Sequence, residues 1–267
     1  MRDWNRRAAV AALAGLSLSA GARSALAQTN PAADLSELLA RYVSLHQDGV
    51  NRVAYARWRA NTADMTRLNA VIDALAAQRP SAMSRAVAFA YWANLYNAIT
   101  LKVVLDRYPV NSIRDIRSEG VLFDPQALIG PWRTRRVSVE GRRLSLDNIE
   151  HDTLRPLVRD PRVHYAVNCA SIGCPNLQPR AWSADTLEQD LDDAARAFVN
   201  HPRGARLVNS SLRVSSIYEW FKDDFGGNDA GVIAHLRRFA EPALRDQLAG
   251  VTRISGHDYD WALNGAR

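Results

Sequence analysis

Both cysteines of the chain lie in one stretch, Asp160 to Pro175, with four residues between Cys169 and Cys174 and with His164 shortly before them. A thiolate is a strong nucleophile, and it needs a base or a cation to hold it ionised near neutral pH. Val163, Tyr165 and Val167 alternate with His164, Ala166 and Asn168, a period that predicts a strand with Cys169 at its exit into a small-residue turn. Five residues of extended chain span about 16 Å. That length takes His164 out of reach of Cys169 and weakens a zinc site built from His164, Cys169 and Cys174. His151 is then the remaining candidate base, and Asp147, four residues earlier on a predicted helix, shares its face and can either orient the imidazole or cap the helix. Asn94 and Asn97 share a face of a long helix and offer amides that orient an imidazole, polarise a carbonyl, or hold loop backbone inside the core. A structural disulfide between Cys169 and Cys174 competes with the thiol reading; its short loop is worth only about 2 kcal/mol.

The elements that must position these groups follow from periodicity. Asp34-Leu35-Ser36-Glu37 has the pattern of a capping box opening a first helix, and a second is predicted after Thr62 with Leu68, Val71, Ile72 and Leu75 on its inner side. From about Ser84 to Tyr108 the chain is apolar nearly all round but carries Asn94, Asn97 and Lys102, the signature of a buried central helix rather than a membrane span. Glu140-Gly141 predicts a hairpin turn between Arg135–Val139 and Arg142–Leu146, and Asp147-Asn148-Ile149-Glu150 a capping box for the helix carrying His151. A helix capped by Ser183, two strands about Asn209-Ser210-Ser211, helical segments to about Leu248 and an extended end complete the reading. Asp223-Asp224-Phe225-Gly226-Gly227 lacks the positional pattern of a calcium loop and reads as an acidic turn. The whole predicts one α+β domain with a mostly antiparallel sheet.

Arg2, Arg6 and Arg7 precede an apolar run from Ala8 to about Ala22, followed by Ala25-Leu26-Ala27. This is the pattern of a signal peptide over residues 1–27, with twin-arginine character in Asn5-Arg6-Arg7, leaving a domain over residues 28–267 in the periplasm or secreted, with no membrane span after removal. The segment holds Arg2, Arg6, Arg7, Arg23 and Asp3, so half of the formal net charge of +6 leaves with it. Nucleic acid is not an expected partner; the partner expected is a small molecule, a peptide or an envelope component. No phosphate loop, dinucleotide fingerprint or serine elbow occurs, and no cofactor is expected.

Phe89 to Ala98, Leu146 to His151, His164 to Pro175 and Tyr259-Asp260-Trp261-Ala262-Leu263-Asn264 resemble, in order and spacing, the motifs of the domain of unknown function 547 family. The resemblance carries no established activity. At the level of fold it implies a helix packed on an antiparallel sheet, similar to papain-like and transglutaminase-like domains. Two functions are therefore expected to compete. One is thiol-dependent hydrolysis or acyl transfer on an envelope amide or ester, with Cys169 as nucleophile, His151 as base and Asp147, Asn94 and Asn97 around them. The other is a non-catalytic binding or scaffold module with a Cys169–Cys174 disulfide.

Overall fold

A computed structural model describes residues 30–116 and 130–266; the segment read as a signal peptide lies outside them. Helix α1 spans Pro31–Tyr42 and starts earlier than the Asp34 box implied. Asn30 caps it by accepting from Ala32 and Ala33, and Pro31 fits the first turn because its missing N–H has no helical partner there. Asp34 instead pairs with Arg67 of α3, Thr62–Ala76. Between them, β1 (Val43–Leu45) and β2 (Asn51–Val53) form a small antiparallel hairpin. The short helix α2, Tyr55–Ala60, follows and buries Tyr55 and Trp58.

Helix α4, Arg85–Arg107, forms the centre as predicted: every residue from Ala88 to Leu105 except Lys102 is buried. Its principal neighbours are helices, namely α1, α2, α3 and the segment after the second hairpin. That hairpin pairs β3 (Val137–Val139) with β4 (Arg142–Leu144). Glu140 and Gly141 both adopt positive φ, +48° and +78°, the turn whose twist matches two antiparallel strands. Ser145, not Asp147, caps the next helix and exchanges hydrogen bonds with Asn148. This helix begins as α5 (Leu146–Ile149), widens into a π-turn over Glu150–Leu154, and ends as α6 (Arg155–Val158).

The strand expected around His164 is absent: Pro161–Tyr165 is a 3-10 helix. Asp160 caps it through the Arg162 N–H, and Pro161 stands at its first position. Arg162 is buried because Asp160, Glu188 and Asp192 all take its guanidinium. Alternation misled because Arg162 through Asn168 are buried on every side. Helix α7, Leu187–Val199, begins after Thr186 rather than at Ser183. Then β5 (Ala205–Val208) and β6 (Ser211–Ser215) pair antiparallel. The helical stretch that follows is broken into α8 (Ile217–Trp220), a 3-10 turn (Lys222–Phe225), α9 (Asp229–Phe239) and α10 (Pro242–Leu248). Finally β7, Gly256–Asp258, joins β6 in parallel.

The chain is thus a single α+β domain. Among the described residues the strands form three small sheets rather than one, and the third is mixed. No helix among the described residues is long and apolar enough to cross a membrane.

Candidate functional site

The Cys169 turn is built on α4. Asn97, buried, donates to the Ala166 carbonyl and accepts from the Asn168 N–H, both at 2.9 Å. One turn earlier Asn94 does the same for the two backbone groups of Trp182. Both amides are spent on loop backbone, and neither lines the cavity described below. Asn168 in turn accepts from the Ala170 N–H and donates to the Pro175 carbonyl. These bonds hold Ala170 at φ +61°, a left-handed conformation that costs a non-glycine residue energy and persists only where its surroundings impose it. The strained residue directly follows Cys169.

The C-terminal segment closes over this turn. The N–H groups of Ile172 and Gly173 donate to Ala262 and Asp260, and Asn264 donates to Ala170. The approach leaves no room for a side chain at Gly173, where a Cβ would lie 2.8 Å from the Asp260 nitrogen. This contact delivers Tyr259 to the thiol.

Cys169 is partly buried and Cys174 buried, and both are free thiols, with their sulfurs 3.0 Å apart and unbonded. The Cys169 N–H donates to Cys174 Sγ. Around Cys169 Sγ stand Tyr259 Oη at 3.0 Å and Ser171 Oγ at 3.2 Å, and Ser171 donates to Tyr259 at 2.8 Å. Cys174 Sγ, Tyr259 Oη and Ser171 Oγ thus all stand within hydrogen-bond distance of Cys169 Sγ. Hydrogen bonding from Cys174 lowers the Cys169 pKa below the ordinary thiol value, with Ser171 and Tyr259 acting the same way against the opposing effect of burial. Burial pushes Cys174 the other way, well above it. The pair is therefore divided into one thiol disposed to ionise and one held as S–H.

Cys169 faces a cavity of about 440 Å³ that also presents Asp147, Glu150, His151 and His164. Trp132, Trp220, Phe221, Tyr259 and Trp261 form much of its wall. The 3-10 turn thus corrects the reach argument: it brings His164 to the same cavity as Cys169, which an extended chain would not. His164 is the better-oriented histidine. Its Nε2 is 2.7 Å from Asp224 Oδ2, its ring stacks on Phe221, and Arg155 braces Asp224 with two hydrogen bonds. The His164 contact, followed by Arg155, holds the Asp224 carboxyl well below its usual range. With Nε2–H donated to Asp224, Nδ1 is the basic nitrogen, 3.9 Å from Glu150 Oε1 and outside hydrogen-bond distance.

His151 lines the cavity without such an anchor. Its Nδ1 is 3.5 Å from Arg155 Nη1, at the limit of a hydrogen bond, and its ring tilts against Phe221. Asp147 also lines the cavity, but its ion-pair partner is Arg133 at 3.4 Å. Sequence reasoning set His164 aside on reach and did not single out Glu150, Asp224 as its partner, or Tyr259 as a thiol donor. Only Tyr259 carried a signal, as part of the C-terminal motif. Asp224, read as part of an acidic turn, is the anchor of His164. Among the described residues no group of three His, Cys, Asp or Glu side chains has the geometry of a metal site.

Fold and site together define an α+β domain with an aromatic-walled cavity lined by two cysteines and two histidines. Residues 80–199 match the family described as protein of unknown function, DUF547. The matched stretch carries α4, the second hairpin, the Cys169 turn and α7, and stops short of Tyr259 and Trp261. No curated protein and no solved structure matches the chain.

Proposed function

We propose that this protein is an exported member of the DUF547 family that carries out thiol-dependent hydrolysis or acyl transfer on an amide or ester of the cell envelope. The observation that carries the reading is the Cys169 thiol, hydrogen-bonded by Cys174 and Tyr259, opening into the same cavity as the Asp224-anchored His164. His164 replaces His151 as the base, because only its imidazolium has a carboxylate at 2.7 Å to stabilise it. In the forward step Cys169 sulfur attacks the carbonyl carbon, a C–S bond forms, and the C–N or C–O bond breaks. The thiol proton passes to His164 and on to the departing amine or alcohol. Water, or a second acceptor, then breaks the thioester and restores the thiol. The aromatic wall accommodates an apolar portion of the substrate. Export rests on residues 1–27, and a mature N-terminus near Gln28 in the envelope fraction is the corresponding expectation.

Iodoacetamide labelling of the reduced native protein tests the thiol. Cys169 should be alkylated faster than a free thiol at neutral pH and Cys174 should be protected. Tyr259→Phe removes one hydrogen bond to the thiolate, about 1.5–3 kcal/mol, so labelling should slow by roughly tenfold or more. His164→Ala should slow it further than His151→Ala. A protein isolated with a stoichiometric Cys169–Cys174 disulfide, and with labelling after reduction indifferent to all three substitutions, would establish the scaffold reading, which the short distance between the sulfurs favours.

A further inference from the structure

The second thiol forms and breaks no bond in acyl transfer, yet its position is closely defined. Cys174 is buried, lies 3.0 Å from Cys169 Sγ, and accepts the Cys169 backbone N–H. Its own N–H donates to the Ser171 carbonyl, closing the turn that holds it there. The sulfurs need approach by only about 1 Å to reach a disulfide bond length of about 2.05 Å. Both cysteines line the cavity, Cys169 partly exposed and Cys174 buried. The more accessible sulfur is thus offered to a substrate with the second beside it, which is the arrangement of an oxidisable thiol and a resolving partner.

We propose that Cys169 and Cys174 form a peroxidatic and resolving pair that reduces organic hydroperoxides at the expense of a dithiol. In the first step Cys169 thiolate attacks the terminal oxygen of ROOH. The O–O bond breaks, an S–O bond forms, and RO⁻ takes a proton from the Tyr259–Ser171 hydroxyl pair to leave as ROH, the pair regaining through solvent the proton that Cys169 released on ionising, and Cys169 has become a sulfenic acid. In the second, Cys174 sulfur attacks Cys169 sulfur. The S–O bond breaks and hydroxide departs with the Cys174 proton as water, leaving the disulfide. An external dithiol then reduces the disulfide and is itself oxidised, so each turnover consumes one peroxide and one dithiol. The cavity selects the organic peroxide: Trp132, Trp220, Phe221 and Trp261 give an apolar approach to the sulfur, and hydrogen peroxide has nothing to place against them.

The inference shares the cavity-facing Cys169 with the acyl-transfer reading but needs neither His164 nor an acyl substrate. Labelling of the reduced protein that fails at Cys169 removes both, whereas labelling that succeeds without peroxide chemistry removes this one alone. Reduced wild-type protein is mixed with one equivalent of cumene hydroperoxide, and in parallel with hydrogen peroxide. Both are quenched by alkylation at timed intervals and analysed by intact mass and peptide mapping. The expected result is a Cys169–Cys174 disulfide, formed roughly tenfold or more faster with cumene hydroperoxide, and repeated turnover when dithiothreitol is present. Cys174→Ser should stop at a sulfenic acid on Cys169 that dimedone traps, while Cys169→Ser should leave Cys174 unoxidised. Two free thiols after peroxide treatment, oxidation of Cys174 in the absence of Cys169, or equal rates with the two peroxides would each overturn the proposal. The wild-type measurement decides even if a variant fails to fold.

Discussion

Asn97→Ala tests how the site is attached to the core. Asn97 makes two hydrogen bonds, but their loss is unequal. The Ala166 carbonyl also accepts from the Trp182 indole at 3.1 Å, so it keeps a partner when Asn97 is truncated. The Asn168 N–H has no second acceptor and becomes a buried orphan. An orphaned buried donor costs about 1–3 kcal/mol, and the space left by the amide at this buried position adds about 1 kcal/mol. A loss near 3 kcal/mol is expected, read as a fall in the urea midpoint at unchanged slope. The companion Asn94→Ala orphans both backbone groups of Trp182 and should cost at least as much, yet it frees a different loop. Alkylation of the buried Cys174 separates the two: it should rise by roughly tenfold or more in Asn97→Ala, where local opening of the Cys169 turn becomes easier, and much less in Asn94→Ala. A loss below about 1 kcal/mol in Asn97→Ala, or the same alkylation change in both variants, would refute the view of Asn97 as the positioning residue of the turn.

Two further outcomes follow from buried groups. His235, hydrogen-bonded to Tyr165 at 2.7 Å, is pushed down to about 4, chiefly by burial and secondarily by Arg238. Its contribution is complete above an unfolded value of about 6.5 and is lost as pH falls from there towards 4, where only the unfolded chain takes up the proton. Roughly 2 kcal/mol should disappear by about pH 5. His235→Gln should flatten this part of the urea stability profile, and identical pH profiles for the two proteins would count against it. Gly173→Ala forces a Cβ into the Asp260 backbone and should cost about 1–3 kcal/mol while slowing Cys169 alkylation, because Tyr259 is carried away with the displaced segment. Retention of wild-type stability and labelling would show that the segment is not fixed by this contact.

What could be read from the sequence was what periodicity and local chemistry control. Helix α4 was legible because its apolar faces and embedded Asn94 and Asn97 leave little alternative, and the β3–β4 turn because Glu140-Gly141 favours positive φ. The starts of α1 and α5 were displaced by rival caps, Asn30 and Ser145, which stand close to the residues expected to cap. The 3-10 turn at Pro161–Tyr165 was hidden by a false alternation, since burial of Arg162 depends on Glu188 and Asp192, far along the chain. Cys169, His151 and Asp147, named from the sequence, line the cavity; the pairing of His164 with Asp224 and of Cys169 with Tyr259 was not legible, because it arises only through tertiary packing.

The return of residues 259–264 to the Cys169 turn also orders events in time. During synthesis α4, the thiol turn and both histidines emerge well before Tyr259, and the turn has no partner for the N–H groups of Ile172 and Gly173 until Asp260 and Ala262 follow. A nascent or C-terminally clipped chain therefore carries the sulfur without its phenolic donor. Maturation of the thiol is tied to the arrival of residues 259–264: the cysteine meets its tyrosine only after the other described elements have been made.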